Sequence, residues 1–287
     1  MKRQLHLLLI DPQNDFCDLP DAYRPEEASG GGRVSPALPV AGAHADMQRT
    51  AHLIREGAAG IAGISVTLDS HHRIDIAHPA FWQTADGGAV APFTQITAGD
   101  VREGRYAPRK PAAMARALSY LEALEAAGRY KLMVWPVHCE IGSWGHNVHA
   151  DVRAAYNRWE ESTLRPVHKV IKGTNPWTEH YSAVLAEVPD PQDKGTQLNT
   201  EFIAHLGQAE RIYVAGEAGS HCVKATVEDI VRQFGPARRG KLVLLTDCMS
   251  PVTGFEAQQQ AFLAAMAEQG VRLATSAEAL QELKDNA

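Results

Sequence analysis

The chain has 287 residues and a formal charge of −6, from 28 Lys and Arg against 34 Asp and Glu. With 45% hydrophobic and 22% charged residues, its composition is that of a globular protein and excludes a disordered or collagen-like chain. The mild acidity argues against nucleic-acid binding, which normally needs a basic face. Four dispersed cysteines are too few for a disulfide framework and indicate a reducing compartment.

Short apolar runs alternate along the chain with stretches of helical periodicity. The predicted strands cover residues 5–10, 61–68, 131–135, 168–172, 211–215, 241–246 and, more weakly, 271–274. The predicted helices cover residues 39–57, 111–127, 147–161, 200–206, 221–234 and 256–268. Almost continuously apolar strands are typical of a parallel sheet covered on both faces. The alternation therefore predicts an α/β fold with right-handed crossovers.

Two stretches interrupt the alternation. Residues 18–36 contain a run of three glycines, and residues 72–110 carry prolines, glycines and aromatic residues with little periodicity. Long connections inside a compact domain are usually functional. We predict that both are loop-like insertions that cross the edge of the sheet and cover a site.

The apolar runs are too short for targeting or membrane segments. The first run, residues 7–10, ends at Asp11. A signal peptide needs about 7–15 apolar residues, and a membrane-spanning helix needs about 20. We therefore expect a cytoplasmic protein that does not bind membranes.

Residues suited to chemistry occur where the predicted strands end. Taken along the first five strands, these residues are Asp11, Asp69, His138, Lys172 and Cys222. In a parallel sheet the carboxyl ends of the strands share one edge, and open α/β folds bind their ligands there. We expect the five residues to meet in one crevice.

Cys222 stands at the predicted start of a helix, after a glycine-rich turn. A free thiol has a pKa of about 8.5, and both a helix N-terminus and a nearby ammonium group favour the thiolate. A depression of about two units would make Cys222 mostly thiolate and hence a nucleophile, with Lys172 able to supply the ammonium and Asp11 to shuttle the proton. From the residues alone, a small buried packing role for Cys222 stays open.

Asp69 and His71 are two residues apart, so in extended backbone they point to the same side. His138, from a neighbouring strand end, completes a set of one carboxylate and two imidazoles. This set suits Zn, Fe or Mn and leaves positions for water or substrate. Further ligand candidates nearby are His72, Asp75 and His78. Histidines that only hydrogen-bond loop backbone remain the alternative interpretation.

Five linked motifs follow one another along nearly the whole chain. They are Asp11-x-Gln13-Asn14-Asp15-Phe16-Cys17, Asp69-x-His71, Trp135-Pro136-x-His138-Cys139, Lys172-Gly173 and Gly216-x-Ala218-x-x-x-Cys222-Val223. Together they resemble the nicotinamidase/pyrazinamidase branch of the isochorismatase-like cysteine hydrolases. The resemblance implies a three-layer α/β/α fold of Rossmann-like topology with a mainly parallel six-stranded sheet. It also implies a single domain over residues 1–287, with insertions near 18–36 and 72–110.

The resemblance implies an amidohydrolase that acts in pyridine nucleotide salvage. Such an enzyme cleaves the carboxamide of nicotinamide, or of a close analogue such as pyrazinamide, to the acid and ammonia through a cysteine thioester. By motif, Cys222 is the nucleophile, Asp11 the general base and Lys172 the group that supports the thiolate. The oxyanion hole would use the backbone N–H groups of Ala218 and Cys222, beside a cis peptide between Glu217 and Ala218.

The resemblance also implies the substrate and metal contacts. Phe16 and Trp135 match the positions that sandwich the flat substrate ring. Asp69, His71 and His138 would hold a divalent metal that meets the pyridine nitrogen, with zinc expected first and iron or manganese as alternatives. The partner implied is a small-molecule amide. The oligomeric state is left open, a homo-oligomer included.

Two departures from the family pattern fall around the metal and the substrate entrance. His72 stands where the family has proline, and residues 72–110 exceed the compact family core. The metal geometry and the exact amide therefore stay open. Three alternatives remain. They are a related amidohydrolase for carbamoyl or ureido compounds, a non-catalytic binding protein that kept the fold, and a metal-dependent hydrolase with Cys222 as a bystander.

Overall fold

The fold is taken from a computed structural model, which describes residues 2–287. The strands are β1 (Leu5–Ile10), β2 (Gly63–Asp69), β3 (Trp82–Thr84), β4 (Thr94–Ile96), β5 (Tyr106–Pro108), β6 (Leu132–Val134), β7 (His168–Lys172), β8 (Arg211–Gly216), β9 (Leu242–Leu245) and β10 (Arg272–Ala274). The α-helices are α1 (Ala43–Gly57), α2 (Ala98–Arg102), α3 (Met114–Ala127), α4 (Ala150–Thr163), α5 (Thr200–Gly207), α6 (Cys222–Phe234), α7 (Glu256–Glu268) and α8 (Ser276–Lys284).

A six-stranded sheet in the order β10-β9-β8-β1-β2-β7 forms the centre of the fold. All five strand pairs are parallel. Every residue of β1 is buried, as its unbroken apolar run predicts for a central strand with helices on both faces. Helices α4 and α8 pack on α1, while α5 and α7 pack on α6. The predicted α/β/α architecture with a six-stranded parallel sheet is confirmed.

The predicted strand at residues 131–135 does not belong to this sheet. The observed strand, β6, has only three residues and pairs antiparallel with β4 in a separate two-stranded sheet. The place beside β2 is taken by β7 instead. The sixth strand of the central sheet is β10, which the weaker pattern at 271–274 had indicated. Helix α8, which begins with a capping box between Thr275 and Glu278, was not predicted.

The segment 72–110 is not the loop that its weak periodicity predicted. It contains β3, β4, β5 and α2, and with α3 and β6 it builds a second hydrophobic cluster. Trp82 is fully buried in this cluster and donates a hydrogen bond from Nε1 to the carbonyl of Ile76 at 2.7 Å. Strands β3, β4 and β5 have three residues each, too few to show the alternation of apolar and polar residues by which a strand is predicted from sequence. Within residues 18–36 the structure has one 3-10 turn, Asp21–Tyr23, as expected of a loop.

Across residues 2–287, no helix combines the length and the apolar character that crossing a bilayer requires.

Candidate active site

Four of the five residues predicted to meet lie together around the Lys172 side chain at the carboxyl edge of the sheet, and the fifth, His138, lies beside Asp69. Strands β1, β2 and β7 are neighbours, and in the register of β2 with β7 Asp69 stands opposite Lys172. The Lys172 Nζ atom lies 2.9 Å from Asp11 Oδ2, 2.8 Å from Asp69 Oδ1 and 3.6 Å from Cys222 Sγ. All four residues are buried. The crevice predicted from the strand ends therefore exists.

Lys172 keeps its charge although its side chain is fully buried. Burial alone lowers the pKa of an ammonium group. Here the carboxylates of Asp11 and Asp69 outweigh burial and hold the pKa of Lys172 above its ordinary value. The carbonyl of His180 accepts a further hydrogen bond from Nζ at 2.9 Å. These partners therefore favour the charged form of Lys172 beside the sulfur.

The surroundings of Cys222 favour the thiol over the thiolate, contrary to the lowered pKa that the sequence indicated. Burial raises the pKa of the Cys222 thiol well above its ordinary value, the Lys172 ammonium opposes this, and the carboxylates of Asp11 and Asp69 add to it. The expectation was wrong because it counted the ammonium and omitted desolvation and the second carboxylate. A thiol that must lose its proton at the moment of attack needs a base within reach.

Asp11 is placed to be that base. It directly follows β1 and has a positive φ of 43°. Burial raises the pKa of Asp11, while Lys172 lowers it. Thr67 donates a hydrogen bond from Oγ1 to Asp11 Oδ1 at 2.5 Å and fixes the carboxylate. A basic carboxylate next to a buried thiol can accept and return a proton.

Three buried histidines lie beside Asp69. Ring nitrogens of His71, His78 and His138 all fall within 4.8 Å of one another. Asp69 Oδ2 lies 3.0 Å from His71 Nε2 and 3.3 Å from His138 Nε2. Burial lowers the pKa of His78 to about 2, so its ring is neutral, the form that binds metals. This donor set fits a divalent transition metal.

The three candidates left open around this cluster have different positions. His78 belongs to it, with Nε2 3.3 Å from His138 Nδ1. Asp75 instead contacts the far side of His71, 3.1 Å from Nδ1, as carboxylates behind metal-binding histidines do. The side chain of His72 is exposed and contributes nothing to the cluster.

A narrow chamber opens onto the sulfur and the histidine cluster. We call it the reaction chamber, and its walls are Phe16, Leu38, Asp69, Trp135, His138, Glu179, Tyr181, Ala218, His221, Cys222 and Val252. Both aromatic residues expected to sandwich the substrate ring, Phe16 and Trp135, are present. Trp135 is held by a hydrogen bond from its Nε1 to Tyr181 Oη at 2.9 Å. Phe16 and Trp135 therefore both line the chamber that holds Cys222.

The expected oxyanion donors are also at the chamber. Ala218 and Cys222 line it, and the peptide bond between Glu217 and Ala218 is cis. Within residues 2–287, neither backbone N–H donates a hydrogen bond to another protein group. Two free donors beside a nucleophile are the arrangement that stabilises an oxyanion.

Sequence reasoning missed three polar residues of the chamber walls, Glu179, Tyr181 and His221. Glu179 Oε2 is buried without a hydrogen-bond partner, and burial raises the pKa of this carboxyl group. It lies on the irregular connection after β7, where no local pattern marks it. His221 had one available signal, since it directly precedes Cys222. Its ring contacts Trp135 edge to face at a centroid distance of 5.1 Å.

No protein-family profile and no curated protein sequence matches the chain. Solved structures do. The nicotinamidase/pyrazinamidase of Acinetobacter baumanii superimposes with a TM-score of 0.60 at 19% identity, covering 96% of this chain and 98% of the other. The yeast nicotinamidase Pnc1p bound to the inhibitor nicotinaldehyde superimposes with a TM-score of 0.61 at 16% identity, covering 95% of this chain and 100% of the other. The pyrazinamidase of Pyrococcus horikoshii in complex with zinc superimposes with a TM-score of 0.53 at 19% identity, covering 95% of this chain and 99% of the other. At these identities the likeness establishes a shared fold.

Proposed function

We propose that this protein is a cysteine amidohydrolase that cleaves the carboxamide of nicotinamide, or of a close analogue such as pyrazinamide, to the acid and ammonia. One observation carries the proposal: Cys222 Sγ lies 3.6 Å from the Lys172 ammonium, which is itself 2.9 Å from Asp11. The aromatic walls of the reaction chamber, and the nicotinamidases and pyrazinamidases that share the fold, support a heteroaromatic amide as substrate.

In the first half of the reaction, Cys222 Sγ attacks the carboxamide carbon while its proton passes to Asp11. The new C–S bond forms as the carbonyl electron pair moves to oxygen. The N–H groups of Ala218 and Cys222 stabilise the resulting oxyanion. Lys172 stabilises the sulfur anion as its proton departs. The C–N bond then breaks, and ammonia leaves with the proton that Asp11 held, giving a thioester.

In the second half, Asp11 takes a proton from a water molecule that attacks the thioester carbon. The C–S bond breaks, the sulfur regains a proton, and the acid leaves the chamber. Atoms balance as one amide plus one water giving one acid and one ammonia. One carboxylate therefore serves as base and acid in turn.

We further propose that Asp69, His71 and His138, together with His78, hold a divalent metal ion, zinc by preference. A bound ion of this kind supplies a Lewis acid for the ring nitrogen of the substrate and so helps to orient the ring. The clustered ring nitrogens of the three histidines, the neutral ring of buried His78 and the zinc complex of the Pyrococcus structure support the assignment.

Ammonia release from nicotinamide and pyrazinamide tests the proposal, with small ureido acids in the same screen. We expect turnover of the heteroaromatic amides by the unmodified protein and none above background by Cys222→Ala. The matched control is Cys248→Ala, which removes another buried cysteine outside the reaction chamber. Turnover retained by Cys222→Ala would refute the mechanism, and release from ureido acids alone would refute the substrate.

A further inference from the structure

A second cavity of about 210 Å³ adjoins the reaction chamber. We call it the outer chamber; its walls include Gln95, Tyr130, Lys131, Lys224, Phe255 and Gln258. Tyr181 and His221 line both cavities, so the two cavities meet at these side chains. The outer chamber is therefore the neighbour of the space in front of Cys222.

The two cavities differ in charge. Asp69 and Glu179 line the reaction chamber, whereas the walls of the outer chamber carry three cations, Arg129, Lys131 and Lys224, and no acidic residue. Two of these cations share a carboxylate behind the wall, since Glu228 lies 2.9 Å from Arg129 and 3.1 Å from Lys224. Arg129 also pairs with Asp229 at 3.2 Å.

Lys131 is the cation that nothing neutralises. Its side chain is exposed, and within residues 2–287 it forms neither an ion pair nor a hydrogen bond. The amide groups of Gln95 and Gln258 likewise have no hydrogen-bond partner in that range and remain free to donate. A free ammonium and two free amide donors around one cavity match the needs of a carboxylate.

Aromatic groups complete the outer chamber. The Tyr130 ring is nearly parallel to His221 at a centroid distance of 6.3 Å, and Phe255 meets His221 edge to face at 4.7 Å. Lys224 Nζ lies 5.1 Å from the Tyr130 ring centroid, in the range of a cation–π contact. Gln95 belongs to β4, so the segment that exceeds the compact family core supplies one wall of this cavity.

We propose that the outer chamber binds the carboxylate of an aromatic acid, with Lys131 as its main charge contact. This inference deepens the proposed function and rests on it, because the aromatic acid would be a substrate or the departing product of the reaction at Cys222. The carboxylate has two sources: an acidic substituent on the substrate amide, or the acid product as it leaves. In either case the cations draw an anion away from Asp69 and Glu179 and toward solvent.

The test compares nicotinamide with 5-carboxynicotinamide in the unmodified protein and in Lys131→Gln. We expect the ratio of kcat/KM for the anionic amide to that for the neutral amide to fall about 3- to 5-fold in Lys131→Gln, the effect of one exposed charge contact. If instead only the inhibition constant for nicotinate rises by this factor, the carboxylate bound is that of the product. The control Lys284→Gln removes an exposed cation of α8 and leaves both quantities unchanged.

A second measurement separates this inference from the proposed function. Calorimetric titration with pyridine-3,5-dicarboxylate needs no turnover, so it applies even if none of the amides releases ammonia. Weaker binding to Lys131→Gln, by about 3- to 5-fold and with a reduced dependence on salt, supports the outer chamber as a carboxylate site. Equal binding by both proteins, together with unchanged substrate and inhibition ratios, would overturn it.

Discussion

Replacing Lys172 by Gln removes the single positive charge that faces the sulfur of Cys222. The substitution keeps a polar side chain of similar length but leaves the carboxylates of Asp11 and Asp69 without their shared ammonium partner. Both carboxylates raise the pKa of Cys222, and Lys172 opposes them. The pKa of the thiol must therefore rise when the ammonium is lost.

The size of the change follows from the 3.6 Å between Lys172 Nζ and Cys222 Sγ. With an effective dielectric constant of about 20, two unit charges at this distance interact by about 4.6 kcal/mol, equivalent to about 3 pKa units. Protonation of either carboxylate in the variant reduces the change. At any pH below the thiol pKa values of both proteins, each unit by which the thiol pKa rises lowers the thiolate fraction about tenfold. We therefore expect the thiolate fraction of Lys172→Gln to be about 10²- to 10³-fold smaller than that of the unmodified protein.

The assay is the rate of Cys222 alkylation by iodoacetamide between pH 6 and 10, since only the thiolate reacts. We expect the rate profile of Lys172→Gln to move to higher pH. Lys169→Gln, an exposed position of the same strand, should keep the original profile. Circular dichroism checks that the variant is folded, because breaking a buried ion pair costs about 3–5 kcal/mol. A folded Lys172→Gln protein with an unchanged profile would refute the electrostatic role of Lys172.

Two further predictions concern histidines. His78→Ala should weaken Zn²⁺ binding at least tenfold in a competition titration, because it removes a buried ring from the cluster. His72→Ala, at an exposed position, should leave the affinity unchanged. Equal Zn²⁺ affinities of the two variants would contradict the four-residue site. The pKa of His6 is lowered by burial to about 3, so between pH 7 and 5 the unfolded chain gains a proton that the folded protein does not. Between pH 7 and 5, the free energy of unfolding measured in urea should fall by about 2 kcal/mol more for the wild type than for His6→Gln. Equal decreases in the two proteins would count against a neutral buried His6.

Much of the fold could be predicted from local sequence patterns. The bounds of β1, β7 and α7 agree with the predicted ranges, because continuous apolar runs and a sustained helical period both depend on residues close in sequence. The position of β6 in the fold could not be predicted from the sequence. A three-residue apolar segment fits any sheet, and its partner, β4, lies in a segment whose own strands are too short to show a period.

The candidate site divides in the same way. Residues that directly follow strands, such as Asp11 and Asp69, were predicted to meet because parallel strands place their ends at one edge. His78 stayed open, since its approach to His138 depends on how the segment after β2 packs. Glu179 was missed because it lies on an irregular connection with no period.

The order of apolar runs and strand-end residues along the chain was enough to determine an α/β sheet and the identity of its reactive edge, since both follow from short-range pattern and strand direction. The protonation of Cys222, the membership of His78 in the cluster and the charge of the outer chamber were decided only by tertiary structure. Desolvation and charge–charge interactions depend on distances between residues far apart in sequence, and those distances exist only once the chain has folded.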